Sequence, residues 1–488
     1  MQKKEIEMKI NKISNVKNIQ QQKPNFGGIG LSPVSNALYT LGNNDMLNAS
    51  FVDVFAMDTP RTIVEFNHRG KQAGIEMGFR EYTGTFIAEF SAITFATLAS
   101  KIFTKVFKPN VDINSKTWVT NNGIDTFNEI YKNSDKTPKG FIKNTLLSMT
   151  GLSGKDVNSF KNDENLEKIT EKFVNVVNNN LDKKSHKKAL LDIQDEIINV
   201  LKADNSITVK SGEKSFSDNL SHVVRDMADV SKNVFFKKGV NVTESISKIK
   251  KLNKTRIAAA IPMSMALALS NQYINRQWTK SRTGIDNFVG ENGYENNVNT
   301  KISAKKEKGL MLKKIVSAGV FVGMLAKVMG VKKPSDIVKK LEFNGPATGG
   351  NAIKTIYGTL ILGRIFASKD STELRETNVR DYLGFLNWLV FGGFVSKGVA
   401  NLMDRNRKDL FNISKDGKGI GHWLKDISLK SQKEIIAQGG NVKKNLAKLN
   451  IAQIAGIGYS ALMLGVLLPK LNIWMTQHQK TNKKELGA

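Results

Sequence analysis

From Leu449 to Pro469 the chain runs 21 residues without a charged side chain, and Lys448 and Lys470 close the run at its two ends. No other feature constrains the fold as strongly. About 20 consecutive apolar residues in a helix cross the ~30 Å hydrocarbon core of a bilayer, so 449–469 reads as a transmembrane helix. Its Gly456, Gly458, Ser460 and Gly465 suit close helix–helix contact. Weaker versions of the same pattern recur. Residues 257–275 are uncharged between Arg256 and Arg276; 315–331 are interrupted by Lys327; 355–368 contain Arg364; and 382–403 start with an uncharged run that ends at Lys397. Towards the N-terminus, 82–100 is a candidate membrane helix containing one charge, Glu89. Charges inside such stretches are costly and are retained for a reason, which makes Glu89, Lys327 and Arg364 the candidate functional intramembrane charges.

Loop charge argues against a simple polytopic arrangement. The loop 276–314 and the next one, 332–354, are both basic, whereas successive loops of a serpentine membrane protein should alternate. Either a span is miscounted or some stretches lie along the interface. The densest basic run is Lys301, Lys305, Lys306, Lys308, Lys313 and Lys314, directly before the apolar stretch at Ile315. That placement suits anionic lipid headgroups. No aromatic residues are interleaved there for base stacking, so nucleic acid is the weaker expectation.

Between these regions, 108–250 is polar with a helical period. Leu166, Ile169, Phe173 and Val177 mark one amphipathic helix, and Leu190, Ile193, Ile197 and Leu201 a second after Asn178-Asn179-Asn180. Phe216, Leu220, Val223, Met227 and Val230 read as a third. Strand alternation is nearly absent. The expected fold class is therefore all-α: apolar membrane-associated helices with an inserted polar helical domain. The expected order is a flexible basic tail (1–30), an N-terminal helical region (31–107), the polar domain (108–250), apolar helices with the loop 276–314 (251–405), a basic amphipathic region (406–448), the membrane helix (449–469) and a basic tail (470–488).

One echo links distant segments. Arg80-Glu81-Tyr82-Thr83-Gly84 precedes one apolar stretch, and Arg380-Asp381-Tyr382-Leu383-Gly384 precedes another 300 positions later. Five residues are a slender basis for a repeat.

Motifs for chemistry are weak. The chain has no cysteine, which excludes disulfides, thiolate nucleophiles and cysteine-based metal sites. Glu65-Phe66-Asn67-His68 has the spacing of a di-iron helix but has no second copy. Gly345 to Asn351 imitates a phosphate loop yet lacks its Lys and Ser/Thr; it offers only a helix N-terminus able to hold an anion. Gly27-Gly28-Ile29-Gly30 follows no strand. Gly421-His422-Trp423 reads as structural, and 279–300 is a long loop of the kind that carries binding residues. No cofactor, metal or catalytic residue is expected.

The net charge of +29 favours anionic partners. The first 24 residues lack the apolar core of a secretory signal, so an internal segment would direct membrane entry, with a bacterial inner membrane the expected location. The leading expectation is a non-enzymatic membrane-associated protein of scaffolding or interaction type, with an anionic membrane and other proteins as its partners. The alternatives are a soluble helical structural or nucleic-acid-associated protein with a large apolar core, and a transporter or channel.

Overall fold

The computed structural model describes residues 31–106, 116–151, 164–179, 181–284, 304–413 and 427–485. The tail 1–30, Lys301, the loop beyond Gly284 and Gly421-His422-Trp423 lie outside the described residues. The fold is all-α with two small sheets.

Among the described residues, seven helical rods run alternately up and down through one body. After α1 (Pro33–Gly42), the first rod is α2 (Asp45–Phe51), a π-helical segment (Val52–Asp58) and α3 (Thr59–Arg69). A single Gly70 at φ +90° turns the chain into the second rod: α4 (Lys71–Phe86), a π-segment (Ile87–Ser91) and α5 (Ala92–Val106). The polar domain follows. The third rod is α11 (Val242–Thr283), the fourth α12 (Ala304–Val328) and, after the short α13 (Pro334–Lys340), the fifth is α14 (Gly350–Ala367). The sixth is α15 (Ser371–Leu386), a π-segment (Asn387–Phe391) and α16 (Gly392–Met403); the seventh is α18 (Val442–Ser460), a π-segment (Ala461–Leu467) and α19 (Leu468–Glu485).

Contacts fix the alternation. At the distal end, Arg282 bonds Gln72, Arg69 bonds Glu376, Arg276 bonds the Ala367 carbonyl, Lys313 bonds Ser371 and Thr476 bonds Glu376. At the proximal end, Asp45 accepts from the Gly350 amide, Arg256 donates to Ser100 and Glu342 accepts from Asn121. Among the described residues, four rod segments are long and apolar enough to cross a membrane: Lys71–Val106, Val242–Thr283, Gly309–Val328 and Val442–His478. The stretches 355–368 and 382–403 do not qualify. The first lies in α14, which is buried along most of its length because it occupies the centre of the bundle.

Small residues let the rods approach. Ala88, Ala92 and Ala96, four apart on one face, share a core with Ala260, Ile261 and Ala268 of α11. A Cβ on Gly363 would stand 3.0 Å from the Leu269 carbonyl oxygen, and one on Gly456 2.7 Å from that of Gly392. One on Gly465 would stand 2.7 Å from the Ala56 carbonyl oxygen, where two π-segments cross. Gly458 faces open space.

The polar domain has its own core, from Val119 to Ile249, and the first turns of α11 supply Ile246 and Ile249 to it. Its helices are α6 (Asn121–Lys132), α7 (Pro138–Leu147), α8 (Glu164–Asn178), α9 (Lys183–Val200) and α10 (Leu220–Val230). The amphipathic residues of α8 and α9 face inward, with Leu166, Ile169, Phe173, Ile193, Ile197 and Leu201 buried. A three-stranded antiparallel sheet of β1 (Met149–Gly151), β2 (Ser206–Ser211) and β3 (Lys214–Asn219) was not expected from the sequence. It corrects the third helical pattern: Phe216 belongs to β3, and the helix starts at Leu220, capped by Asn219. The signal lay in Ser206-Ile207-Thr208-Val209, whose apolar residues alternate inward, and in the two-residue loop at Gly212, φ +55°. A third small core joins α16 and α18 to the ribbon of β4 (Phe411–Ile413) and β5 (Ile427–Leu429) and to α17 (Gln432–Gln438).

Two outcomes test this architecture. Gly456→Val should drive a side chain into the α16–α18 contact and destabilise by about 1–3 kcal/mol, as overpacking does. Gly458→Ala should be neutral or stabilise by up to about 1 kcal/mol through helix propensity; thermal melts of the two variants check both. In the polar domain, burial first and neighbouring Asp226 second raise the Asp229 carboxyl to about 7. A raised folded value favours the neutral acid, so this contribution is full at acid pH and is lost as pH rises through 7. Asp229→Asn should therefore gain melting temperature relative to the natural chain at alkaline pH and gain little at acid pH.

Candidate functional site: a buried spine of charge

The helical body carries its charges inside. Arg364, 3% exposed, leaves α14 near its C-terminal end and bridges two acids, with Nη2 3.3 Å from Glu81 Oε2 and Nη1 3.1 Å from Asp381 Oδ1. Arg61 of α3 reaches the same Glu81 oxygen at 3.3 Å and also donates to the Leu464 carbonyl in the seventh rod. Arg80 Nε lies 3.2 Å from Glu81 Oε1, and Arg380 Nε 2.9 Å from Asp381 Oδ1. One constellation thus ties together the first, second, fifth, sixth and seventh rods.

The echo in the sequence lies at its heart. Arg80-Glu81 and Arg380-Asp381 occupy the last turns of α4 and α15, and each helix then enters a π-segment at the same offset, Ile87–Ser91 and Asn387–Phe391. Each is also the second arm of a tight helical hairpin whose first arm sends an arginine back: Arg61 to Glu81 and Arg364 to Asp381. The two hairpins share this pairing of an arginine on the first arm with an acid on the second, and Arg364 joins them.

From this centre the spine continues distally. Arg69 Nη2 lies 2.7 Å from Glu376 Oε1 and is also paired with Glu65. Glu376 accepts from Thr476, its backbone carbonyl accepts from Asn472, and Arg276 pairs with Glu373. Proximally it reaches Asp58, which accepts from Thr85 at 2.7 Å, and then Asp53 and Glu89, both 0% exposed. Ser50 donates to Glu89, and Thr348 donates to the Glu89 backbone carbonyl. A π-segment leaves carbonyls without regular i→i−4 partners, and Thr348 takes one of them.

The candidates named from sequence fall in different places. Glu89 and Arg364 belong to the spine. Lys327 does not: it is exposed in the last turn of α12, where a cation meets the helix C-terminus. Lys313 donates to Ser371 and Lys314 to the Phe366 carbonyl, so both stitch α12 to the α14–α15 turn. Lys305, Lys306 and Lys308 lie on the first turns of α12. Glu65 is held by Arg69, and His68 Nδ1 lies 3.1 Å from the Val64 carbonyl; among the described residues no His, Asp and Glu are grouped to hold a metal. The helix N-terminus at Gly350 does hold an anion, the Asp45 carboxylate, 2.9 Å from the amide. Sequence reasoning missed Asp53, Asp58, Arg61 and Glu376. The available signal was a pair of acids in the apolar run Ala49–Met57 and its border.

No protein-family model, curated protein or solved structure matches the chain.

Removing one member of a buried ion cluster leaves the others uncompensated, at about 3–5 kcal/mol. Arg364→Met should cost up to that much in a denaturation experiment, because Glu81 and Asp381 lose the guanidinium that joins them and keep only Arg61, Arg80 and Arg380. Asp381→Asn should be costly by itself because it also leaves Arg380 unpaired, and a double-mutant cycle with Arg364→Met reads the coupling between the two.

Proposed function

We propose that this is an integral membrane protein whose helical bundle sits in the bilayer and holds the polar domain at one membrane face, acting through display and interaction rather than catalysis. One observation carries the reading: the outside of the bundle is apolar and its inside is charged. Of the apolar window in Gly309–Val328 only 17% is buried, and Ile315, Val316, Val320 and Val322 are exposed. Leu98 and Ile102 on α5, Met263, Leu267 and Ile274 on α11, and Ile451, Ile454 and Leu462 on the seventh rod are exposed as well. Contiguous apolar surface on this scale marks a lipid or protein contact. Buried arginines and acids paired inside a bundle fit the same setting, since ionisable groups in lipid face the interior and pair with one another.

The polar domain and the α17 ribbon both leave from the proximal end of the rods. With the bundle in a bilayer, both would stand at one face, and this is why we favour a display role. The basic loops at both ends suit anionic headgroups. Their adjacency in sequence follows from the rods: α12 and α13 carry the chain from the distal to the proximal end, so both ends are basic.

Membrane pellets washed in alkaline carbonate should retain the protein, and detergent should release it. Val320, 58% exposed at the middle of α12, gives the sharper test. Val320→Asp places a charge in lipid at about 2.5–3.5 kcal/mol and should sharply reduce the membrane-inserted fraction. A natural chain that carbonate releases, together with a Val320→Asp variant that behaves like it, would assign the apolar faces to a water-soluble assembly.

A further inference from the structure

Acids outnumber arginines in the spine, and the excess gathers at one place. Asp53, Asp58 and Glu89 lie at or beside two π-segments, and among the described residues none of the three forms an ion pair with Lys or Arg. Both carboxyl oxygens of Asp53, Oδ1 of Asp58 and Oε1 of Glu89 are buried and receive no hydrogen bond. Ser50, three residues before Asp53 on the first rod, donates to Glu89, which sets the Asp53 and Glu89 carboxyls side by side where the first rod meets the second.

Among the described residues the nearest cations, Arg61 and Arg364, are already engaged by other acids. On the first rod the neighbours are Asp58 and Arg61, and Arg61 is already shared between Glu81 and the Leu464 carbonyl. On α4 the facing charge is Glu81, held by three arginines; on α14 the facing groups are Tyr357, whose hydroxyl lies 3.8 Å from Met57 Sδ, and Arg364, engaged by Glu81 and Asp381. The packed stretches of α11 (257–275) and of the seventh rod (449–467) contain no charged side chain. Two carboxylates buried this close cannot both ionise unless something positive lies between them. A proton is the one cation that two facing carboxyls hold with no further ligand, and among the described residues no His, Asp and Glu are grouped to ligate a metal.

We propose that Asp53 and Glu89 together bind one exchangeable proton, making the junction of the two π-segments a proton-binding site. The proton bridges the two carboxyls, and the Ser50 hydroxyl, donating to Glu89, stabilises the charge that remains. Asp58, and Glu81 beyond it, continue a line of acids towards the distal end, the arrangement used by proton relays. The site depends on burial within the bundle and stands whether that bundle lies in lipid or in water.

Difference infrared spectroscopy on the purified full-length protein tests it, comparing the natural chain with Asp53→Asn/Glu89→Gln, a near-isosteric pair of changes. At neutral pH the natural chain should show a protonated-carboxyl stretching band that shifts in D2O and bleaches on alkalinisation, and the variant should lack the part of it due to this site, keeping the contribution of Asp229. The variant should also release one proton fewer per molecule on alkalinisation. If the double variant does not fold, either single variant serves, and thermal melts give a second reading. The natural chain should lose melting temperature as pH rises above neutral, and each folded variant should lose less. An unchanged band in a folded variant overturns the proposal, as does a natural chain whose stability is no more alkali-sensitive than the variant's. Displacement of the band by sodium at constant pH overturns the assignment of a proton as the ligand.

Discussion

Arg364 is the side chain on which the rest of this bundle depends. Its guanidinium joins Glu81 of one helical hairpin to Asp381 of another, and through those acids it reaches Arg61, Arg80 and Arg380. Taking such groups out of water costs several kcal/mol per ion, and the cost is met only when every partner is present and well placed. The cluster therefore specifies an arrangement more than it adds stability. Helices shifted by one residue would bury unpaired charge, and the apolar faces alone could not forbid that shift.

The packing around the cluster serves the same requirement. Gly363, Gly456 and Gly465 each remove a side chain where one backbone meets another, and Ala88, Ala92 and Ala96 form a thin face for α11. Close backbones bring arginines and acids from five rods within about 3 Å of one another. The π-segments contribute too, for each inserts one residue into a helix and turns the following side chains. Val52–Asp58 and Ile87–Ser91 bring Asp53 and Glu89 together, and Ala461–Leu467 places Gly465 against Ala56. These are the positions where regular helical spacing gives way.

That irregularity also marks where the sequence stopped being readable. Long uncharged runs announced the rods at 257–275 and 449–469, and 3.6-residue spacing announced α8 and α9, because both signals are local. The first rod fell within the expected N-terminal helical region, but nothing local marked Asp53, Asp58 and Arg61 as internal, since the partners that make them acceptable there lie far away in sequence. Lys327 looked like an intramembrane charge because its run was counted as continuing to Val331, whereas Gly330 at φ +62° ends the helix just beyond it. The strands at 206–219 were short enough for Leu220 onward to absorb Phe216 into a helical pattern. The echo of Arg80-Glu81 in Arg380-Asp381 was visible throughout, but its meaning required the fold, since only there do the two pairs share Arg364.

The central claim is that the bundle turns its apolar faces to lipid and its charges to the interior. The absence of native cysteine allows single cysteines to be introduced and spin-labelled without background reaction. Collision accessibility should be measured in reconstituted vesicles at Leu267, Val320 and Leu462 on the rods and at Lys188 on the polar domain, all outside the buried core. The account requires labels at the three rod positions to be accessible to oxygen and shielded from a water-soluble nickel chelate, with the Lys188 label showing the reverse. Rod labels as open to the chelate as the Lys188 label would contradict it, and the apolar faces would then belong to contacts between proteins in water.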